Sequence, residues 1–215
     1  MRKVLKNKKI QIISAAMLVI LVVSLVAIIL LSKPVTPKLT NKDGVIIHST
    51  STPDAVKPGP DFKWQGKPND PKQIIIPGIG VEAFVQKVGV DQNNEVAVPS
   101  NLHTVGWFVD TVRPGEKGLS LIDGHVTGRQ NDGVFKDLNK LKRGDKFKVL
   151  LGSGKVVNYE VISSKSAKTK ESLSIMFSQD PKITSQLNLV TCSGKYDKKT
   201  KTYNERLTVS AKQLW

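Results

Sequence analysis

The sequence is poor in the residues that most often announce a chemistry. Its 215 residues hold one cysteine, three histidines and three each of methionine, tryptophan and tyrosine, and aromatics make up only 6%. The single cysteine, Cys192, excludes an internal disulfide framework and any zinc site built from several thiolates. No acidic cluster has the pattern of a calcium loop, so neither a metal nor another cofactor is expected. An arginine-rich stripe interleaved with aromatics is missing, as is any finger-like Cys/His spacing, which disfavours a nucleic-acid partner. No internal repeat is visible, and the length suits one domain with attachments.

What the chain has in excess is positive charge, 33 Lys and Arg against 18 Asp and Glu for a formal +15. The excess is uneven. Residues 1–9 carry five positive charges (Arg2, Lys3, Lys6, Lys8, Lys9) and no negative one, whereas residues 71–215 amount to only +8. Between them, residues 10–31 read IQIISAAMLVILVVSLVAIILL, 22 positions without a charge. As a helix this run spans roughly 33 Å, enough for a hydrocarbon core of about 30 Å. A cleavable signal peptide has a shorter apolar region and a small-x-small exit, which SLVAIILLSKP does not offer, so an uncleaved single-pass anchor is expected. The basic end places the N-terminus in the cytoplasm and the body on the extracellular face of the cell membrane. Residues 32–70, rich in Pro, Ser, Thr, Lys and Asp, read as a semi-extended stalk. In it only Val45, Ile46 and Ile47 could pack, and His48 and Trp64 read as solvated linker or as part of a strap on the domain.

From Pro71 the texture changes to short apolar runs separated by turn signals. The runs are 73–76, 81–90, 95–98, 105–109, 119–122, 146–151, 156–164, 187–192 and 205–211, with PGIG, DQNN, RPGEKG and GSGK among the turns. Val134, Phe135, Leu138 and Leu141 suggest a helical interlude, and a further helical turn is expected near 172–177 inside a loop over 165–186. Strands this short and this regularly spaced predict an all-β fold, a barrel or sandwich of about eight strands with one or two short helices.

An unpaired thiol outside the cytoplasm is exposed to oxidation, so Cys192 is either buried and structural or kept for its reactivity. Its surroundings bear on the choice. In LNLVTC, Leu187 and Leu189 share one face while Asn188, Val190 and Cys192 share the other; in NERLTVSA, Arg206, Thr208 and Ser210 oppose Leu207 and Val209. Two consecutive strands joined by the polar stretch 193–203 most simply pair antiparallel. A suitable register then sets Cys192 beside Arg206, where a guanidinium favours a thiolate and any oxyanion formed near it. An acyl-transfer thiol also needs a proton partner for the leaving amine. His48 lies in the stalk and His103 in a turn; His125 closes an apolar strand in SLIDGHVTG and is the candidate acid/base. No Asp or Asn orienting that histidine is evident. At unperturbed pKa values the form with both thiolate and imidazolium amounts to roughly 1% at pH 7.

The GH at a strand end, LVTCSG near the C-terminus and ERLTV one hairpin later resemble the sortases, membrane-anchored cysteine transpeptidases of Gram-positive surfaces. The histidine stands 67 residues before the cysteine and the arginine 14 after it, and the resemblance covers about residues 70–215. It implies a closed eight-stranded β-barrel, with His125 as acid/base, Cys192 as nucleophile and Arg206 stabilising the oxyanion. The implied partners are secreted proteins with a C-terminal LPxTG-like sorting signal, cleaved between Thr and Gly, and a cell-wall precursor or pilin lysine as amine acceptor. DGHVTGRQNDGVF is more similar to the D-, E- and F-like groups than to A or B. Substrate contacts are expected from Thr191, Ser193 and Gly194 beside the cysteine and from Ile175 and Met176 in the 165–186 loop, whose apolar centre could equally plug the barrel. An L,D-transpeptidase is disfavoured because TCSG lacks that family's S-x-G-C-R setting. A barrel that mainly hydrolyses, and a non-catalytic binding or assembly module, remain as alternatives.

Overall fold

The computed structural model describes residues 45–46, 57–59, 61–91, 95–128 and 130–215. Among the described residues nine strands run in chain order: β1 (Val45–Ile46), β2 (Pro71–Ile76), β3 (Val81–Val88), β4 (Val105–Phe108), β5 (Gly118–Gly124), β6 (Lys146–Leu151), β7 (Val156–Lys168), β8 (Ser185–Asp197) and β9 (Thr202–Leu214), with one α-helix, α1 (Thr169–Met176), between β7 and β8. The order across the sheet is β1-β3-β2-β6-β7-β9-β8-β5-β4, and β4 also pairs with β3. Strands β2–β9 therefore close an eight-stranded barrel, as expected. Closure removes the free edges that an open sheet would present. Strand β1 adds a short parallel rung to β3, setting Val45 opposite Lys87.

Alternation decides which way each strand faces. Ile74, Ile76, Val105, Ile122, Phe147, Val149, Tyr159, Leu187, Leu189 and Val209 belong to one buried cluster that fills the barrel. A second, smaller cluster lies on the other face of β3, β4, β5 and β8: Val88, Phe108, Leu121 and Val190, covered by Met176 of α1 and Ala97. The helix is held on this outer layer by β8. Asn188 Nδ2 donates to the Met176 carbonyl at 2.8 Å, and Gln186 Nε2 donates to the Ser178 carbonyl at 2.9 Å.

Several local expectations are corrected. Residues 95–98 form no strand; the run contributes one isolated bridge, Val90 with Val96. The interlude at 134–141 is a 3-10 turn, Leu138–Lys140, rather than an α-helix. Its fully buried side chains are Phe135, Leu138 and Leu141, spaced by three, which suits the tighter 3-10 period. Strand β7 runs on to Lys168 and α1 begins directly after it, so the expected 165–186 loop is largely strand end and helix. The 193–203 stretch is mostly ladder, since Tyr196 pairs with Tyr203 and Asp197 with Thr202.

Part of the segment read as a stalk lies on the barrel. Trp64 Nε1 donates to the Val85 carbonyl at 3.1 Å, and the Phe62 and Phe84 rings pack with centroids 4.7 Å apart. Buried Asp70 accepts from Arg113 Nε at 2.9 Å. The packed body thus begins upstream of Pro71. The basic N-terminus, the expected anchor over 10–31 and His48 lie outside the described residues, among which no helix is long and apolar enough to cross a membrane.

Candidate active site

Strands β8 and β9 pair antiparallel with Cys192 opposite Arg206, the register that the two alternating runs suggest. The same parity sends Leu187, Leu189, Leu207 and Val209 into the barrel and leaves Cys192 on the outer layer beside Val190. Past Ser193 the register shifts, and Gly194 sits there at φ +78, a left-handed conformation that costs glycine little. Arg206 Nη1 donates to the carbonyls of Tyr203 and Glu205, each at 3.0 Å. None of the ion pairs among the described residues involves this guanidinium. Its charge is thus positioned by backbone rather than cancelled by a carboxylate.

His125 arrives from the neighbouring strand. Strand β5 pairs parallel with β8, Asp123 against Val190, and ends at Gly124. One rung further, Thr191 Oγ1 donates to the Gly124 carbonyl at 2.7 Å and stitches the end of β5 to β8 between His125 and Cys192. The imidazole Nε2 lies 2.9 Å from the Pro99 carbonyl. A carbonyl can only accept, so Nε2 carries the hydrogen, and Nδ1 is the basic nitrogen of the neutral ring.

His125, Cys192 and Arg206 line one cavity of about 480 Å³. Its walls are mostly apolar, from Val96 and Val98 on one side, Phe108, Leu121 and Val190 beneath, and Leu173, Met176 and Phe177 of the α1 region on the other. Leu173 and Phe177 remain 55% and 41% exposed at its rim. Phe177 meets Phe108 edge to face with centroids 5.9 Å apart.

Burial governs the electrostatics. It pushes the Cys192 thiol up; Arg206 pulls it back down, and Asp123 adds a smaller upward push. Burial also lowers His125, with the Pro99 contact opposing. Both shifts favour the neutral thiol and neutral imidazole. The ion-pair form in the resting site is therefore scarcer than unperturbed values suggest.

The site residues named from sequence divide into two groups. His125, Cys192, Arg206, Thr191 and Met176 line the cavity, although the Thr191 hydroxyl is already engaged with Gly124. Ser193, Gly194 and Ile175 do not line it. Ser193 has its hydroxyl buried without a hydrogen-bond partner among the described residues, and Gly194 serves the register shift. On α1, Ser172 and Met176 face inward one turn apart, which turns Ile175 away from the cavity. Asp123, not among the residues expected from sequence, also lines the cavity and is buried; its parity with Leu121 and His125 is the signal that points to it. Among the described residues no three or more His, Cys, Asp or Glu side chains cluster so as to hold a metal ion.

The family described as Sortase domain matches residues 74–214. Among solved structures, the chain is similar to sortase A from Corynebacterium diphtheriae at 21% identity and TM-score 0.53, covering 70% of this chain and 63% of that one. It is similar to sortase C-1 from Actinomyces oris at 29% identity and TM-score 0.50, covering 68% and 75%. A Clostridium perfringens sortase D5 transpeptidase matches at 24% identity and TM-score 0.50, covering 68% and 79%. No curated protein sequence matches the chain.

Proposed function

The chain belongs to the sortase family, and we propose that it cleaves an LPxTG-like sorting signal between Thr and Gly through a thioacyl intermediate on Cys192 and passes the acyl group to an amine. The observation that carries this reading is the in-register Cys192–Arg206 pair sharing one apolar-walled cavity with His125.

The steps follow from the groups in place. The Cys192 sulfur attacks the Thr carbonyl carbon as its proton passes to His125. The oxyanion that forms is stabilised by the Arg206 guanidinium, unpaired with any carboxylate among the described ion pairs. The C–N bond breaks as His125 returns the proton to the leaving Gly amine, and a thioester remains. An incoming amine attacks the thioester, gives its proton to His125 and expels the thiolate. Burial biases both resting groups toward their neutral forms, so proton transfer from Cys192 to His125 accompanies attack on the bound carbonyl, where Arg206 meets the charge that develops. The apolar walls suit the apolar part of such a peptide.

The acceptor is proposed to be a cell-wall precursor amine or a pilin lysine. The uncharged run at 10–31 behind a basic N-terminus supports a single-pass anchor that holds the barrel on the extracellular face, where secreted substrates pass. The test incubates the purified full-length chain with LPxTG- and LAxTG-like peptides and with glycine, diaminopimelate and lysine amines. Mass spectrometry is expected to find a ligated product that Cys192→Ala does not make. Cleaved acid alone would favour the hydrolytic reading, which shares the thioester. No product, with Cys192 also inert to thiol reagents, would favour a binding module.

A further inference from the structure

Asp123 is a buried acid that the steps above do not use. It sits on the outer face of β5, opposite Val190, with Leu121 two residues before it and His125 two residues after. Cys192 is the next residue on the same face of β8. On its other side Asp123 pairs with Gly106 of β4. A Cβ at position 106 would run into Asp123 Oδ1 and would stand 2.7 Å from Val88 Cγ1. The missing side chain therefore makes the notch that seats the carboxyl between β4 and β8.

That notch supplies no counter-charge. Asp123 is only 8% exposed, and its Oδ1 is fully buried with no hydrogen-bond partner among the described residues. Burial holds its proton well above the usual carboxylate range, against a smaller opposing pull from its own backbone N–H. The titratable groups facing this corner are Cys192 on β8, His125 after β5, Arg206 and Tyr203 on β9, and Glu95 and Lys201 at the cavity wall. Strand β4 and helix α1 line the cavity with uncharged side chains.

We propose that Asp123 is a positioning residue that serves as a neutral carboxylic acid beside Cys192, and that its ionisation disarms the thiol. With its proton on, Asp123 fills the notch without adding charge, and Arg206 alone sets the field at the sulfur. When the proton leaves to solvent, a carboxylate one rung from Cys192 opposes formation of the thiolate. The thiolate fraction then rises with pH later and less steeply than Arg206 alone would allow, through a residue that does not touch the reacting atoms. This deepens the thioacyl reading and rests on it for its consequence in turnover, but the charge coupling can be measured without any substrate.

The experiment alkylates Cys192 with iodoacetamide from pH 5 to 10 in the full-length wild type and in Asp123→Asn, an isosteric change, with rates read by intact mass. The expected ratio of variant to wild-type rate is near one at the acid end. It climbs severalfold as pH rises, toward about tenfold for one pKa unit of coupling, and closes again once both thiols are ionised. A ratio that stays constant across pH would overturn the proposal, since a merely structural role shifts reactivity equally at every pH. If Asp123→Asn does not fold, the profile of His125→Ala, in which the imidazole no longer titrates, decides: two coupled steps support the proposal and one simple titration overturns it. Transpeptidation could fail with this coupling intact, so the two readings fail separately.

Discussion

The two faces of the β5–β8 sheet are built from the same alternating runs and do different work. Inward, Ile122, Leu187 and Leu189 are sealed in the barrel cluster, and Ser120 is the buried polar side chain of β5 that shares their face. Outward, Leu121 and Val190 are nearly as buried, but they alternate with Asp123 and Cys192 and form the floor of a cavity. A period of two thus separates stability from chemistry on one pair of strands. The outer layer can hold a reactive thiol because α1 shields it without closing it.

Substitutions on the two faces should separate these roles. The largest effect is expected from Cys192→Ala, which removes all thioacyl adduct and product while leaving the thermal unfolding midpoint nearly unchanged. Arg206→Ala should slow thioester formation by about 10²–10³-fold, the usual cost of losing one oxyanion stabiliser, in single-turnover kinetics. On the inner face, Leu189→Ala should cost about 2–5 kcal/mol in denaturant unfolding with activity per folded molecule retained. Thr191→Val keeps the shape but leaves the Gly124 carbonyl without its hydroxyl donor, at about 1–3 kcal/mol. It should also slow turnover more than Leu189→Ala does, because it loosens the strand end that carries His125.

The smallest effect sharpens the contrast through pH. The folded chain holds the Asp123 proton well above the ordinary value of 3.8, whereas the unfolded chain does not. Below that ordinary value both states are protonated and the group contributes fully to stability. As pH rises toward the folded value, the unfolded state gains by ionising and that stability is lost. Asp123→Asn should therefore leave the unfolding midpoint near wild type at pH 3.5 and raise it increasingly toward neutral pH, as calorimetry at several pH values would read.

The Cys192–Arg206 pair was the most legible part of the site. LNLVTC and NERLTVSA each alternate cleanly, so parity and antiparallel pairing were enough to set Cys192 against Arg206. His125 was legible as a strand end, although its hold on Pro99 was not, because that contact joins residues 26 apart through a loop. Asp123 showed the limit of parity. In an exposed layer it is an ordinary solvated acid, and what buries it, the space left by the glycine at 106 on a strand distant in sequence, does not show in the alternation. The strap around Trp64 was legible only as one of two alternatives, because a proline-rich composition signals an extended chain but not where that chain lies. The interlude at 134–141 failed as an α-helix because apolar spacings of three and four overlap over so few residues.

The most direct measurement is intact-protein mass spectrometry of the full-length chain after brief mixing with sorting-signal peptides and no added amine. The account predicts a mass increase equal to the acyl portion ending at Thr, located on Cys192, absent from Cys192→Ala and discharged when an amine is added. An unmodified Cys192 in the presence of every such peptide, with His125 and Arg206 intact, would contradict it.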